Sequence, residues 1–128
     1  MKRMIPILVI IAVGVCAYSI MQANEREQAV IQAIAQDFAQ KYNRPADTFI
    51  IDVTNNAGGF AKGLVRFTDE QGGGMWFAAN TQKGWELVFD GNGIVPCDAA
   101  DKYAFPADII PQCIDTTNNN ELVQRKQI

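Results

Sequence analysis

From Met4 to Met21 the chain carries no charged residue. Eighteen residues at about 1.5 Å each make a helix of about 27 Å, close to the thickness of a bilayer core. A run of this kind is spent on a membrane and withdrawn from any water-soluble core. Lys2 and Arg3 precede it, which predicts a cytoplasmic N-terminus and an exported remainder. Two forms of export stay open. Residues 1–23 are either an uncleaved signal anchor, giving a single-pass protein of the cell membrane, or a signal peptide, giving a secreted one. Ala17-Tyr18-Ser19 offers the small residues that a signal peptidase needs, while Ile20 and Met21 carry the apolar run past that site. Cys16 lies inside the run behind Val15, where a lipid-attachment site wants a smaller residue, and reads as a small apolar residue.

Roughly 90 residues then remain for an extracytoplasmic domain over residues 24–115, followed by a polar tail over 116–128 that reads as disordered, with Asn118-Asn119-Asn120 at its centre. A domain of that size buries only about 60–65% of its unfolded surface and profits from a covalent staple. Cys97 and Cys113 are the two cysteines outside the apolar run, and in an oxidising compartment they are predicted to form a disulfide. With no histidine in the chain, two cysteines are too few for a structural zinc site.

Asn24, with Glu27 three positions on, predicts a helix start. Val30, Ile34, Phe38 and Tyr42 then fall on one stripe, and Asn43-Arg44-Pro45 predicts its end. If the N-terminal segment is retained, the two helices are close to continuous. Four strand patterns follow, over residues 48–54, 60–68, 75–80 and 84–90. In the last, Trp85, Leu87 and Phe89 are expected to share a face. Short connections, with Asn55-Asn56-Ala57-Gly58-Gly59 as the first loop, join them as antiparallel neighbours. The predicted fold class is therefore α+β: a hydrophobic N-terminal helix, one amphipathic helix on a four-stranded antiparallel meander, and a C-terminal loop closed by the disulfide. Asp98 is placed as the cap of one helical turn, and Pro106 to Gln112 as another turn.

Few residues carry chemistry. Without histidine there is no common general base at neutral pH and no Ser-His or Cys-His pair. Asp52, Glu86 and Asp90 are the carboxylates that adjacent strands would bring together for glycosidase-type work, although each reads as part of a wet sheet face or a turn. Asp90-Gly91-Asn92-Gly93 lacks the ligand spacing of a calcium loop, and Gly72-Gly73-Gly74 lacks the Lys of a phosphate loop, so no metal or cofactor is expected. Of the 11 Lys and Arg, nine lie beyond the first three residues against 14 acids, which speaks against nucleic acid. Trp76 is the candidate surface-binding residue, being the large aromatic whose face the pattern leaves open.

The stretch from Trp85 to Cys113, with Asp90-Gly91-Asn92-Gly93, Cys97, Phe105-Pro106 and Cys113, resembles a family of short exported bacterial proteins to which no activity is assigned. Lys41-Tyr42-Asn43-Arg44-Pro45 and Phe60-Ala61-Lys62-Gly63 are similar to segments of the same family. The order of elements also resembles cystatin-like and NTF2-like folds. The Gln-x-Val-x-Gly hairpin of cystatin inhibitors is not matched by Thr81-Gln82-Lys83-Gly84-Trp85, so protease inhibition is not implied. A further likeness is to type IV pilins, from which the chain departs in lacking a prepilin peptidase site and a glutamate between Met4 and Met21. The expectation is a non-catalytic binding or scaffolding domain, tied to the membrane by its N-terminal helix, whose partner is an envelope protein or a small ligand. A pilin-like filament subunit or a small carboxylate-dependent hydrolase is the alternative.

Overall fold

A computed structural model describes residues 5–126 of the chain, with side chains over residues 13–126. It is α+β. One helix, α1 (Ile5–Tyr42, 38 residues), is followed by a four-stranded antiparallel sheet of β1 (Phe49–Ala57), β2 (Phe60–Phe67), β3 (Gly73–Thr81) and β4 (Gly84–Gly91) in the order β1-β2-β3-β4. A short helix α2 (Cys97–Lys102) and a hairpin of β5 (Gln112–Asp115) and β6 (Glu121–Gln124) complete it.

Asn24 does not start a helix; it lies in the middle of α1, which runs about 57 Å without a break. No proline interrupts it beyond Pro6, and Gly14 alone among its residues lacks a side chain. The predicted stripe is the part that packs: Val30, Ile34 and Phe38 are fully buried against the sheet. Tyr42 is not, its ring half-exposed at the end of the row. The helix stops as predicted, by a Schellman turn. Asn43 takes the left-handed conformation (φ 52°) and the Arg44 N–H donates to the Ala39 carbonyl at 3.1 Å. From Val13 to Glu25 the helix stands clear of the domain, and it is exposed almost throughout as far as Ala29.

Among the described residues no helix is long and apolar enough to cross a membrane. Half of the run Met4–Met21, on which the expectation of an anchor rests, lies outside the residues whose side chains are described.

The main core lies between α1 and the inner face of the sheet, from Val30, Ile34, Phe38, Phe49, Ile51, Ala61, Val65, Trp76 and Ala78. Gly63 belongs to it for a steric reason. A Cβ placed there would come within 1.8 Å of the Asp52 carbonyl oxygen and 2.7 Å of the Trp76 ring, which lies across from it in register. Both neighbours are confined, so Gly63→Ala is expected to cost about 1–3 kcal/mol through overpacking. Chemical denaturation would read this directly, and an unchanged midpoint would mean that β1 yields freely.

A second core covers part of the outer face, and the sequence did not lead to it. Phe77, Ala79, Val95, Ala100, Phe105, Ile109 and Ile110 are buried together, most of them supplied by the segment that the disulfide closes. Cys97 and Cys113 are bonded, as expected. The segment between them closes on itself, the Ile114 N–H donating to the Val95 carbonyl at 2.9 Å beside the disulfide, and lies as a lid on β3 and β4. Pro96, not Asp98, stands at the N-cap of α2, and residues 106–109 make a turn rather than a helix.

Three further expectations are corrected. β1 and β2 extend to a two-residue turn, Gly58-Gly59, with φ of 64° and 85°, so Asn55 to Ala57 are strand and not loop. The pairing of β3 with β4 shifts register after Phe77, because a bulge at Val88 intervenes between Leu87 and Phe89. Trp85 and Leu87 face α1, whereas Phe89 turns to the second core with Phe77. The tail is not disordered over its described length, residues 116–126. β6 pairs with β5, Asn119 and Asn120 hold the left-handed turn between them, and Asp115 accepts hydrogen bonds from the N–H and hydroxyl of Thr117. Arg125 then fastens the end of the hairpin, donating to the Ile110 carbonyl at 3.0 Å.

Candidate functional site

The lid leaves a bare half of the outer sheet face. In an antiparallel sheet alternate residues share a face, so Ile50 and Asp52 of β1, Leu64 and Arg66 of β2, and Met75 of β3 stand together there. Leu64 lies directly across from both Asp52 and Met75, and Ile50 across from Arg66. Leu64 is 47% exposed, and Ile50 and Met75 are 38% exposed each. Arg66 and Asp52 border the apolar residues as an exposed ion pair at 3.4 Å, which is worth little in stability. The site is a small apolar patch with one charge of each sign at its rim.

Trp76 is not part of it. Its side chain points to the opposite face, is fully buried, and donates Nε1–H to the Leu64 carbonyl oxygen at 3.1 Å. As a surface-binding residue it is ruled out, because the β3 alternation places Met75, not Trp76, on the open side. A run in which Trp76, Phe77, Ala78 and Ala79 are all buried hides the usual outward residue.

The three carboxylates are not brought together either. Asp52 and Glu86 share the outer face but lie on β1 and β4, the two opposite edges of the sheet. Three strand spacings of about 4.8 Å, with an offset of four residues along the strands, put them about 19 Å apart, beyond the carboxylate separations that glycoside hydrolysis uses. Glu86 accepts a hydrogen bond from the Tyr103 hydroxyl of the lid at 3.4 Å. Asp90 is on the inner face, where the bulge has turned it, and its side chain is only 5% exposed. The Lys41 ammonium and the Tyr42 hydroxyl both donate to it from the end of α1. Asp90 is thus a buttress between helix and sheet, not a turn residue on a wet face.

That buttress titrates at high pH. Hydrogen bonding to Asp90 is the main reason that Lys41 and Tyr42 both hold their protons above their ordinary values of 10.5 and 10.0; burial partly opposes this at Lys41 and adds to it at Tyr42. Since the folded chain binds these protons more tightly than the unfolded one, the stabilisation is complete below about pH 10 and is lost as pH rises past the folded values. Asp90→Asn is expected to cost about 1–2 kcal/mol at neutral pH and to flatten the alkaline decline. Denaturation midpoints measured from pH 8 to 11 for both proteins would test this; parallel profiles would contradict it.

Two more polar ties fix this end of the domain. Arg44 donates to Asp69 at 2.6 Å and to Glu70 at 3.0 Å, pinning the β2–β3 loop. Asp37 accepts the Leu87 N–H at 2.9 Å, which covers one donor on the edge strand β4. Among the described residues no group of three or more His, Cys, Asp or Glu is placed to hold a metal ion. Cys16 carries a free, exposed thiol on the projecting part of α1. No protein-family model, curated protein or solved structure matches the chain.

Proposed function

We propose that the chain is an extracytoplasmic domain held at the membrane by its first helix, and that it binds or scaffolds rather than catalyses. The observation that carries this reading is the projecting half of α1. Val13, Val15, Tyr18, Ile20 and Met21 are each at least 60% exposed, and at about 100° per residue they spread over more than half of the helix circumference. A helix with so broad an exposed apolar face is stable inside lipid or among other helices. Binding is assigned to the open half of the sheet, where Ile50, Leu64 and Met75 offer an apolar surface to an envelope protein. The separation of Asp52, Glu86 and Asp90 weighs against the hydrolase alternative.

The test is fractionation of cells that express a C-terminally tagged chain, followed by protease treatment of intact spheroplasts. The tag is expected in the membrane fraction and accessible to protease; a tag protected alongside cytoplasmic markers overturns the reading. In the same cells a photo-crosslinker at position 64 is expected to give a discrete adduct that one at Lys83 does not.

A second reading, a filament subunit of pilin type, is favoured by one specific feature. A single unbroken helix packs its second half on a four-stranded meander whose C-terminal segment is closed by a disulfide. Shearing of cells and sedimentation of the supernatant distinguishes the two: filaments containing the chain support this second reading, and its absence from the sheared fraction removes it.

A further inference from the structure

Where α1 leaves the domain, it forms one wall of a cleft of about 430 Å³. β1 runs back along α1 to the Gly58-Gly59 turn, and β4 starts beside it, so both hairpin ends of the sheet arrive at the level of Arg26. The lining is chemically one-sided. Arg26, Asn56, Asn80, the two turn glycines and Trp85 contribute to it, and no carboxylate does. The Asn80 N–H donates to the Gly59 carbonyl at 2.8 Å, which locks the two turns together and leaves both asparagine side chains at the rim. Among the described residues Arg26 forms no ion pair. One guanidinium, two amides and a half-buried indole, without an opposing acid, suit an anion carrying several acceptor oxygens.

The height of the cleft narrows the choice. The apolar run ends at Met21, and Arg26 is five residues farther, about 7.5 Å along the helix. The headgroup layer outside the hydrocarbon core is about 5–7.5 Å deep on each side. On that placement the Arg26 backbone comes at the outer limit of the headgroup layer, its side chain tilts toward the helix N-terminus and so back toward the lipid phosphates, and Trp85 lines the same cleft. The chain beyond residue 3 has nine basic residues against 14 acidic ones, so diffuse attraction to an anionic surface is not available to it. Any preference for anionic lipid has to be local.

We propose that this cleft takes the phosphate diester of an anionic phospholipid headgroup, with Arg26 on the phosphate oxygens, Asn56 and Asn80 on the headgroup hydroxyls, and Trp85 closing the apolar side. The inference rests on the membrane anchoring proposed above. It would fix the domain against the bilayer at a second point beside the helix itself.

The full chain is reconstituted into phosphatidylcholine vesicles that contain either brominated phosphatidylglycerol or the same fraction of brominated phosphatidylcholine, and indole fluorescence is recorded. Trp76 is fully buried, so bromine quenching reports Trp85. Brominated phosphatidylglycerol is expected to enrich at the cleft about fivefold over the zwitterionic lipid, and Arg26→Gln to abolish the preference. Arg26 is exposed on a helix, and the far-ultraviolet helix signal verifies that the variant folds. Equal quenching by the two lipids overturns the proposal, as does a preference that survives Arg26→Gln. Glycerol phosphate and inorganic phosphate are added separately to the plain vesicles. Saturable changes in Trp85 emission at concentrations comparable to the lipid would assign the site to a free anion and overturn the lipid assignment. Vesicle flotation is measured in parallel. A chain that floats with neither lipid removes the anchoring itself, whereas one that floats with both and shows no selectivity removes only the cleft.

Discussion

Trp76→Ala is expected to lower the stability of the domain by about 3–5 kcal/mol, the largest loss at any position considered. The indole is the largest fully buried side chain, and it fills the space that Gly63 leaves open across the strand pair. Alanine there leaves a cavity bounded by α1 and by backbone, neither of which can collapse into it. Trp76→Phe separates the two parts of the effect. It retains much of the volume but leaves the Leu64 carbonyl without its Nε1–H donor, and the expected cost is nearer 1–2 kcal/mol. Urea unfolding followed by circular dichroism provides the comparison. A loss below about 1 kcal/mol for alanine would mean that the helix resettles on the sheet.

Breaking the disulfide ranks second. Cys97 and Cys113 are 16 positions apart, and a loop of this length contributes about 3 kcal/mol. Cys97→Ser and Cys113→Ser are each expected to lose about that much, and the double variant no more than either single, because both remove the same bond. The damage should also be local. Phe105, Ile109 and Ile110 are held within the bridged segment and form the roof of the second core, whereas Val30, Ile34 and Phe38 pack on the other face. Hydrogen exchange should therefore quicken first in β5 and in the lid, with the amides of α1 protected to higher denaturant. Uniform loss of protection would mean that the two cores unfold as one.

The parts of this fold that were legible are those set by local periodicity. The stripe from Val30 to Phe38, the end at Asn43-Arg44-Pro45 and the four strands each follow from spacing, and the cysteine pair follows from its being the two cysteines outside the apolar run. The parts that were not legible depend on partners distant in sequence. Phe89 alternates with Leu87 in the chain, and only the bulge at Val88, a property of the ladder with β3, sends it to the other face. The same bulge explains Asp90, whose burial beneath Lys41 and Tyr42 has no signature in the turn sequence that follows it. The continuous apolar run at Trp76 to Ala79 was the available sign of a sheet covered on both faces. The end of the chain is polar enough that composition alone predicts disorder there. Asn119 and Asn120, polar and unburied, form a left-handed turn as readily as a disordered tail, and backbone pairing of β6 with β5 requires no apolar core.

The unbroken course of α1 gives the domain an azimuth as well as a height. Between Met21 and Val30 the helix has no hinge, so each residue there sets the heading of the sheet about the axis of the projecting helix by about 100° and its distance along that axis by about 1.5 Å. One residue inserted at Gln28 would swing Leu64 and the open face through more than a quarter turn while raising them hardly at all. Seven inserted residues would return the face to within about 20° of its original bearing, some 10 Å higher. With the projecting half of α1 held in a bilayer as proposed above, a partner of the sheet would be addressed by direction, and the register of an eight-residue stalk, not its length alone, would decide what can be reached.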